Sequence, residues 1–149
     1  MKALLAMIAL AGVLCAAALA LSAEEPHSHI GGPKGGRLLE KTEPHAEFYV
    51  ETDNTVTITF YDEAFQPVPV TEQHVSVIAE ADGTKTTLEF ERKGDVLVSE
   101  GPLPDAHGLN LVVQFRQATG AKPLNFRFPF EDHLCDVCKR AEYACFCEH

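Results

Sequence analysis

The stretch that decides the fold is HAEFYVETDNTVTITFY, residues 45–61. Apolar and polar side chains alternate through HAEFYVE (45–51) and again through VTITFY (56–61), with Asp53-Asn54 between them. Successive side chains of a strand point to opposite faces, so this period buries one face and wets the other. Asp and Asn tolerate left-handed backbone and bond to their own main chain, which makes the intervening pair a turn. The segment therefore predicts two half-buried antiparallel strands.

The same grammar continues outward. VSVIAE (75–80) runs into Asp82-Gly83, a strong two-residue hairpin signal, and then into TKTTLEF (84–90). Lys93-Gly94-Asp95 turns the chain into VLVSE (96–100), and LNLVVQFR (109–116) and LNFRFPF (124–130) flank Thr119-Gly120. Seven or eight strands at spacings of roughly ten residues, with no long helical pattern before residue 130, predict an all-β fold. The expectation is a single antiparallel β-sandwich or small barrel spanning 37–130, followed by a cysteine-rich tail at 131–149. Its core is expected from Phe48, Val50, Val56, Ile58, Phe60, Val75, Val77, Leu88, Phe90, Leu97, Leu111, Val113, Phe115, Phe126 and Phe128. The chain has no tryptophan and no cysteine pair between strands, so an antibody-type domain is not indicated.

Residues 1–23 carry one lysine, an apolar run from Ala3 to Leu21, and small residues, which is the layout of a secretory signal peptide. Cleavage is expected between residues 20 and 23; an uncleaved anchor helix is the alternative. Cys15 leaves with the signal, and no membrane span remains. Cleavage after Ala23 leaves 126 of the 149 residues and, with Lys2 gone, moves the formal charge from −10 to −11. Such a surface repels phosphate backbones and argues against nucleic-acid binding. Residues 24–36, EEPHSHIGGPKGG, are expected to form a flexible leader. The implied location is periplasmic or secreted, where an even number of cysteines defaults to disulfides.

All four remaining cysteines lie in CDVCKRAEYACFCEH (135–149), spaced Cys-x2-Cys-x6-Cys-x-Cys-x-His. Cys135 and Cys138 can converge on one ion across a tight turn, as in zinc and soft-metal sites. Cys145, Cys147 and His149 alternate along an extended segment and so share one side. Were KRAEYA helical, Cys138 and Cys145 would stand about 10 Å apart along the axis, at ~1.5 Å per residue. The chain must therefore fold back near 141–144, with at most one helical turn between the pairs. Metal coordination by zinc or copper, a pair of disulfides, and a redox-active thiol pair all remain open. The last lacks the βαβ setting such pairs occupy. Because the core strands end before the tail, replacing Cys135 and Cys138 by Ser is expected to remove the ion and leave the β-domain undisturbed.

Harder donors stand at the other end: His27 and His29 in the leader, and His45 with Glu47 two residues on, on one strand face. HSHIGGPKGGRLLE, PHAEFYVE and VTITFYDEAFQPVPV resemble the small secreted bacterial β-domains with a histidine- and glycine-rich leader and a His-Ala-Glu strand. These are similar to the N-terminal β-domains associated with periplasmic adaptors of heavy-metal efflux systems. The resemblance covers roughly residues 27–70 and implies a metal-handling context, an envelope efflux protein as partner, and His27, His29, His45 and Glu47 as ligands. Adaptors continue into a long helical hairpin and a lipoyl-like domain, which this chain is too short to hold, so a free-standing binding domain is what it implies. The residues themselves point first to a non-catalytic periplasmic metal-binding protein, and second to a secreted interaction domain stapled by tail disulfides. No nucleophile–base pattern, phosphate-cradling loop or His-Glu-x-x-His helix points to an enzyme; thiol–disulfide exchange is the one enzymatic option with residues behind it.

Overall fold

The computed structural model describes residues 31–147. The expected signal peptide, His27, His29 and His149 lie outside the described residues. Among the described residues nine strands follow in order: β1 (Arg37–Leu39), β2 (His45–Val50), β3 (Val56–Tyr61), β4 (Pro67–Val68), β5 (His74–Ala81), β6 (Thr84–Lys93), β7 (Val96–Ser99), β8 (Asn110–Arg116) and β9 (Leu124–Pro129). They form one sheet in the order β1-β2-β3-β7-β6-β5-β8-β9, with β4 paired to β3, and every pairing is antiparallel.

β6 decides between sandwich and barrel. Its first half pairs with β5 (Ser76 opposite Glu89) and its second half with β7 (Phe90 opposite Ser99). One strand thus serves two layers and carries the sheet around a corner, giving a barrel that is nearly closed. Among the described residues β1 and β9 are the two ends of the strand order, and across the seam between them the Arg37 guanidinium lies 4.6 Å from the centre of the Phe128 ring. The hairpin signals act as read. Asp82 and Gly83 both have positive φ (50° and 75°), the twist a two-residue hairpin loop needs.

The expected core residues are buried, except Val50, Phe90 and Phe126, which are half-buried and pack against the rest. Phe48, Phe60 and Phe115 are among the largest fully enclosed side chains, each contributing about 2–3 kcal/mol by leaving water. No helix among the described residues is long and apolar enough to cross a membrane.

Two expectations need correction. Of the leader, residues 31–36 form an ordered turn: Gly32 donates to the Gly36 carbonyl at 2.9 Å and Gly35 to Gly32 at 3.0 Å. The glycines permit a close approach, since a Cβ on Gly36 would stand 2.3 Å from the Phe48 carbonyl oxygen. The tail is also not an appendage to a finished scaffold. Tyr143 and Ala144 belong to the hydrophobic core, with the Tyr143 ring 6.0 Å from Phe48 and 5.2 Å from Phe130.

Candidate metal centre

Cys135 opens a tight turn. Its amide donates to the Arg140 carbonyl at 2.8 Å, and its carbonyl accepts from Lys139 at 2.9 Å. Lys139 has φ of 59°, which reverses the chain so that Leu134 bridges Ala141. This loop returns Cys138 toward Cys135. A single turn of 3-10 helix, Glu142–Ala144, then folds the chain back, and Cys145 follows in extended backbone. The connection has the one-turn limit that the spacing imposed.

The result is convergence. The sulfurs of Cys135, Cys138, Cys145 and Cys147 all lie within 4.8 Å of one another, and Cys138 and Cys145 approach to 3.6 Å. Four thiolates around one zinc ion, with ~2.3 Å bonds, stand roughly 3.8 Å apart, so the cluster is close enough to hold a metal ion. None of these four cysteines is disulfide-bonded, so the tail is not stapled by disulfides. A disulfide needs sulfurs ~2.05 Å apart, well inside these separations.

A local hydrogen bond prepares one of the sulfurs for charge. The Arg140 amide donates toward Cys138, whose thiol is lowered to about 7 chiefly for that reason. Burial pushes Cys145 up to about 12, and Cys147 upward also, although the Cys147 amide lies 3.3 Å from the Cys145 sulfur. Four sulfurs this close cannot all ionise alone, because each thiolate raises its neighbours. A cation at their centre removes that conflict. Cys135 is buried and the other three are half-buried, so the centre is partly shielded from solvent.

Three side chains hold this loop on the barrel. Tyr143 accepts at its hydroxyl from the Val50 amide at 3.0 Å, and at its carbonyl from Arg37 at 3.1 Å. Burial raises its phenol above the ordinary range. Arg140 donates to the Gly32 carbonyl at 3.1 Å and lies 5.5 Å from the Phe146 ring centre, tying the tail to the glycine turn. Sequence reasoning treated KRAEYA as a spacer and missed both. A lone aromatic between the two cysteine pairs was the available signal.

The harder donors are not gathered. Among the described residues the four cysteines are the only group of three or more potential ligands. Glu47 is fully buried, and its carboxylate accepts from the Lys34 and Gly36 amides (3.0 and 2.7 Å) and from the Tyr61 hydroxyl (2.7 Å). It serves as the acceptor that shapes the glycine turn, so its oxygens are engaged by protein donors. His45 stacks on Phe65 with ring centres 5.1 Å apart. His133, a reserve ligand by its closeness to Cys135, pairs instead with Glu131 at 3.7 Å.

No protein-family model, curated protein or solved structure matches this chain. The cysteine cluster, on its own geometry, is thus the observation from which function must be argued.

Proposed function

We propose that this chain is a non-catalytic metal-binding protein of the cell envelope, exported by its leader and loaded with zinc or monovalent copper at Cys135, Cys138, Cys145 and Cys147. One observation carries the reading: four cysteine sulfurs, none in a disulfide, within 4.8 Å of one another. Zinc is the better fit of the two, since four thiolates complete a tetrahedral shell, whereas copper(I) is the soft competitor. Four protein ligands leave no open position for substrate, which favours holding an ion over catalysis. The apolar stretch at residues 3–21 supports export, and the resemblance over residues 27–70 supports a role in heavy-metal handling.

The test is to express the full coding sequence, purify the protein from the periplasm, and measure bound metal by elemental analysis beside a thiol count. One ion per chain, with four thiols that react only after denaturation or chelation, is the expected outcome. Absence of metal together with absence of free thiols would overturn the reading in favour of a disulfide-stapled interaction domain.

A further inference from the structure

The two cysteine pairs reach the centre on separate stretches of chain. Cys135 and Cys138 lie on the loop that turns at Lys139, and Cys145 and Cys147 on the extended arm that follows the 3-10 turn. Arg140 touches both stretches. Its main chain serves the loop, the carbonyl accepting from the Cys135 amide at 2.8 Å and the amide donating toward the Cys138 sulfur. Its side chain serves the arm. The guanidinium carbon lies 5.5 Å from the ring centre of Phe146, the residue between Cys145 and Cys147. Phe146 is 46 % exposed, and a cation over its face is a contact that such a half-wet ring can make. A third contact aims the side chain: Nη1 donates to the Gly32 carbonyl at 3.1 Å. The fit there is close. A Cβ on Gly31 would stand 2.5 Å from that same Nη1, so the guanidinium can occupy this position only beside a glycine.

We propose that Arg140 is the positioning residue of the metal centre: its side chain clamps the Cys145–Cys147 arm against the Cys135–Cys138 loop and thereby sets how slowly a bound ion leaves. This role rests on the metal-binding reading above. Two thiolates cannot complete a tetrahedral shell, so the centre is closed only while the arm is held down on the loop. Charge acts in the same direction. Four thiolates outweigh a divalent cation, which leaves the filled centre net negative, and a guanidinium beside the arm stays protonated throughout the range in which the protein folds. Arginine suits the task better than lysine, because its planar fork can stack on a ring and donate a hydrogen bond at the same time. Groups that orient ligands without touching the ion typically change metal affinity by about 10–100-fold when they are removed. Gly31, Gly32 and Phe146 thus acquire a shared purpose: they form the seat of one side chain.

Transfer of zinc from loaded protein, expressed from the full coding sequence, to an excess of a chromophoric chelator tests this, with the metal content of each protein measured first. Arg140→Ala removes the clamp. Gly31→Ala keeps the charge but puts a methyl group where Nη1 lies, which displaces the guanidinium. Both variants should still fill at saturating zinc, yet release the ion about tenfold faster or more. Arg140→Lys, which keeps a cation able to donate, should fall between the natural chain and Arg140→Ala. Val77→Ala, a truncation of a fully enclosed residue on β5, weakens the barrel without touching the clamp. It should lower the urea midpoint and release zinc at the natural rate. Release from Arg140→Ala at the natural rate would overturn the role. Equally fast release from Val77→Ala would overturn it too, since lost stability would then suffice. A natural chain that takes up no zinc would overturn the metal-binding reading and this role with it, and the metal content tells that failure from the other two.

Discussion

The backbone amide of Val50 donates to the hydroxyl of Tyr143, 93 positions later, at 3.0 Å. That bond joins the end of β2, the strand on which the fold was read, to a residue lying between the two cysteine pairs, two positions before Cys145. Arg37 reinforces it by donating to the Tyr143 carbonyl across 106 positions. The cysteine loop and the barrel core therefore share a residue, so an ion held by the loop would be coupled to the stability of the barrel.

Tyr143→Phe keeps the ring against Phe48 and Phe130 but leaves the Val50 amide without its acceptor, at a cost of about 1–2 kcal/mol. Tyr143→Ala also empties part of the core, at about 3–5 kcal/mol. Urea titration of the metal-loaded proteins should order them natural, Phe, Ala by decreasing midpoint. An alanine variant as stable as the natural protein would mean that the tail does not seal the barrel.

The strands were legible because each is written twice, once in its alternation and once in its turn residues; Asp82-Gly83 and the VTITFY run needed no tertiary information. β1 and β4, with three and two residues, are too short to show a period. Barrel against sandwich was not legible, because the answer lies in β6 changing partners at Phe90, and nothing local marks that bend. In the site, cysteine spacing foretold convergence and the single turn at 142–144. Glu47 misled for a definite reason: alternation places it on the outward face, as the sequence implies, but the glycine turn folds over that face and buries it.

Metal removal should destabilise the barrel itself, contrary to what a self-sufficient scaffold would do. An ion held at a hundred times its Kd stabilises by about 2.7 kcal/mol, because it binds only the folded tail. Chelation should therefore lower Tm by roughly 5–15 °C, a few degrees for each kcal/mol in a domain of this size. Cys135→Ser, at the buried ligand, should match the chelated protein and no longer respond to chelator. A Tm indifferent to chelator in metal-loaded natural protein would uncouple the centre from the fold.

Metal affinity should fall steeply with acid. The ion displaces thiol protons, and Cys145 (about 12) and Cys147 (raised) both hold theirs near neutrality, while Cys138 (about 7) gains one as pH drops through 7. The sign is unambiguous: more protons at lower pH compete with the ion, so affinity rises with pH. Two protons from Cys145 and Cys147 alone correspond to a loss on the order of 10^4-fold between pH 8 and pH 6, with Cys138 adding to it below 7. Competition with a chromophoric chelator whose own pH dependence is known measures this directly. A flat profile would mean that these thiols are not the ligands.

Glu47→Gln separates the two roles open to this carboxylate. As a ligand, its loss would lower the metal content. As the acceptor at the centre of the glycine turn, it receives the Lys34 and Gly36 amides and the Tyr61 hydroxyl, and an amide NH2 in its place would turn a donor toward donors. The cost of leaving such groups unmatched in a buried site is about 1–3 kcal/mol. Gly32→Ala attacks the same turn from the other side, since its Cβ would stand 2.1 Å from the Glu47 carboxyl carbon. Both variants should lower the urea midpoint while the metal stoichiometry of the purified protein stays at that of the natural chain. Arg140, which donates to the Gly32 carbonyl, transmits the damage toward the tail, so exchange protection should fall at residues 31–36 and next around Arg140. Loss of the ion at unchanged stability in Glu47→Gln would restore Glu47 as a ligand.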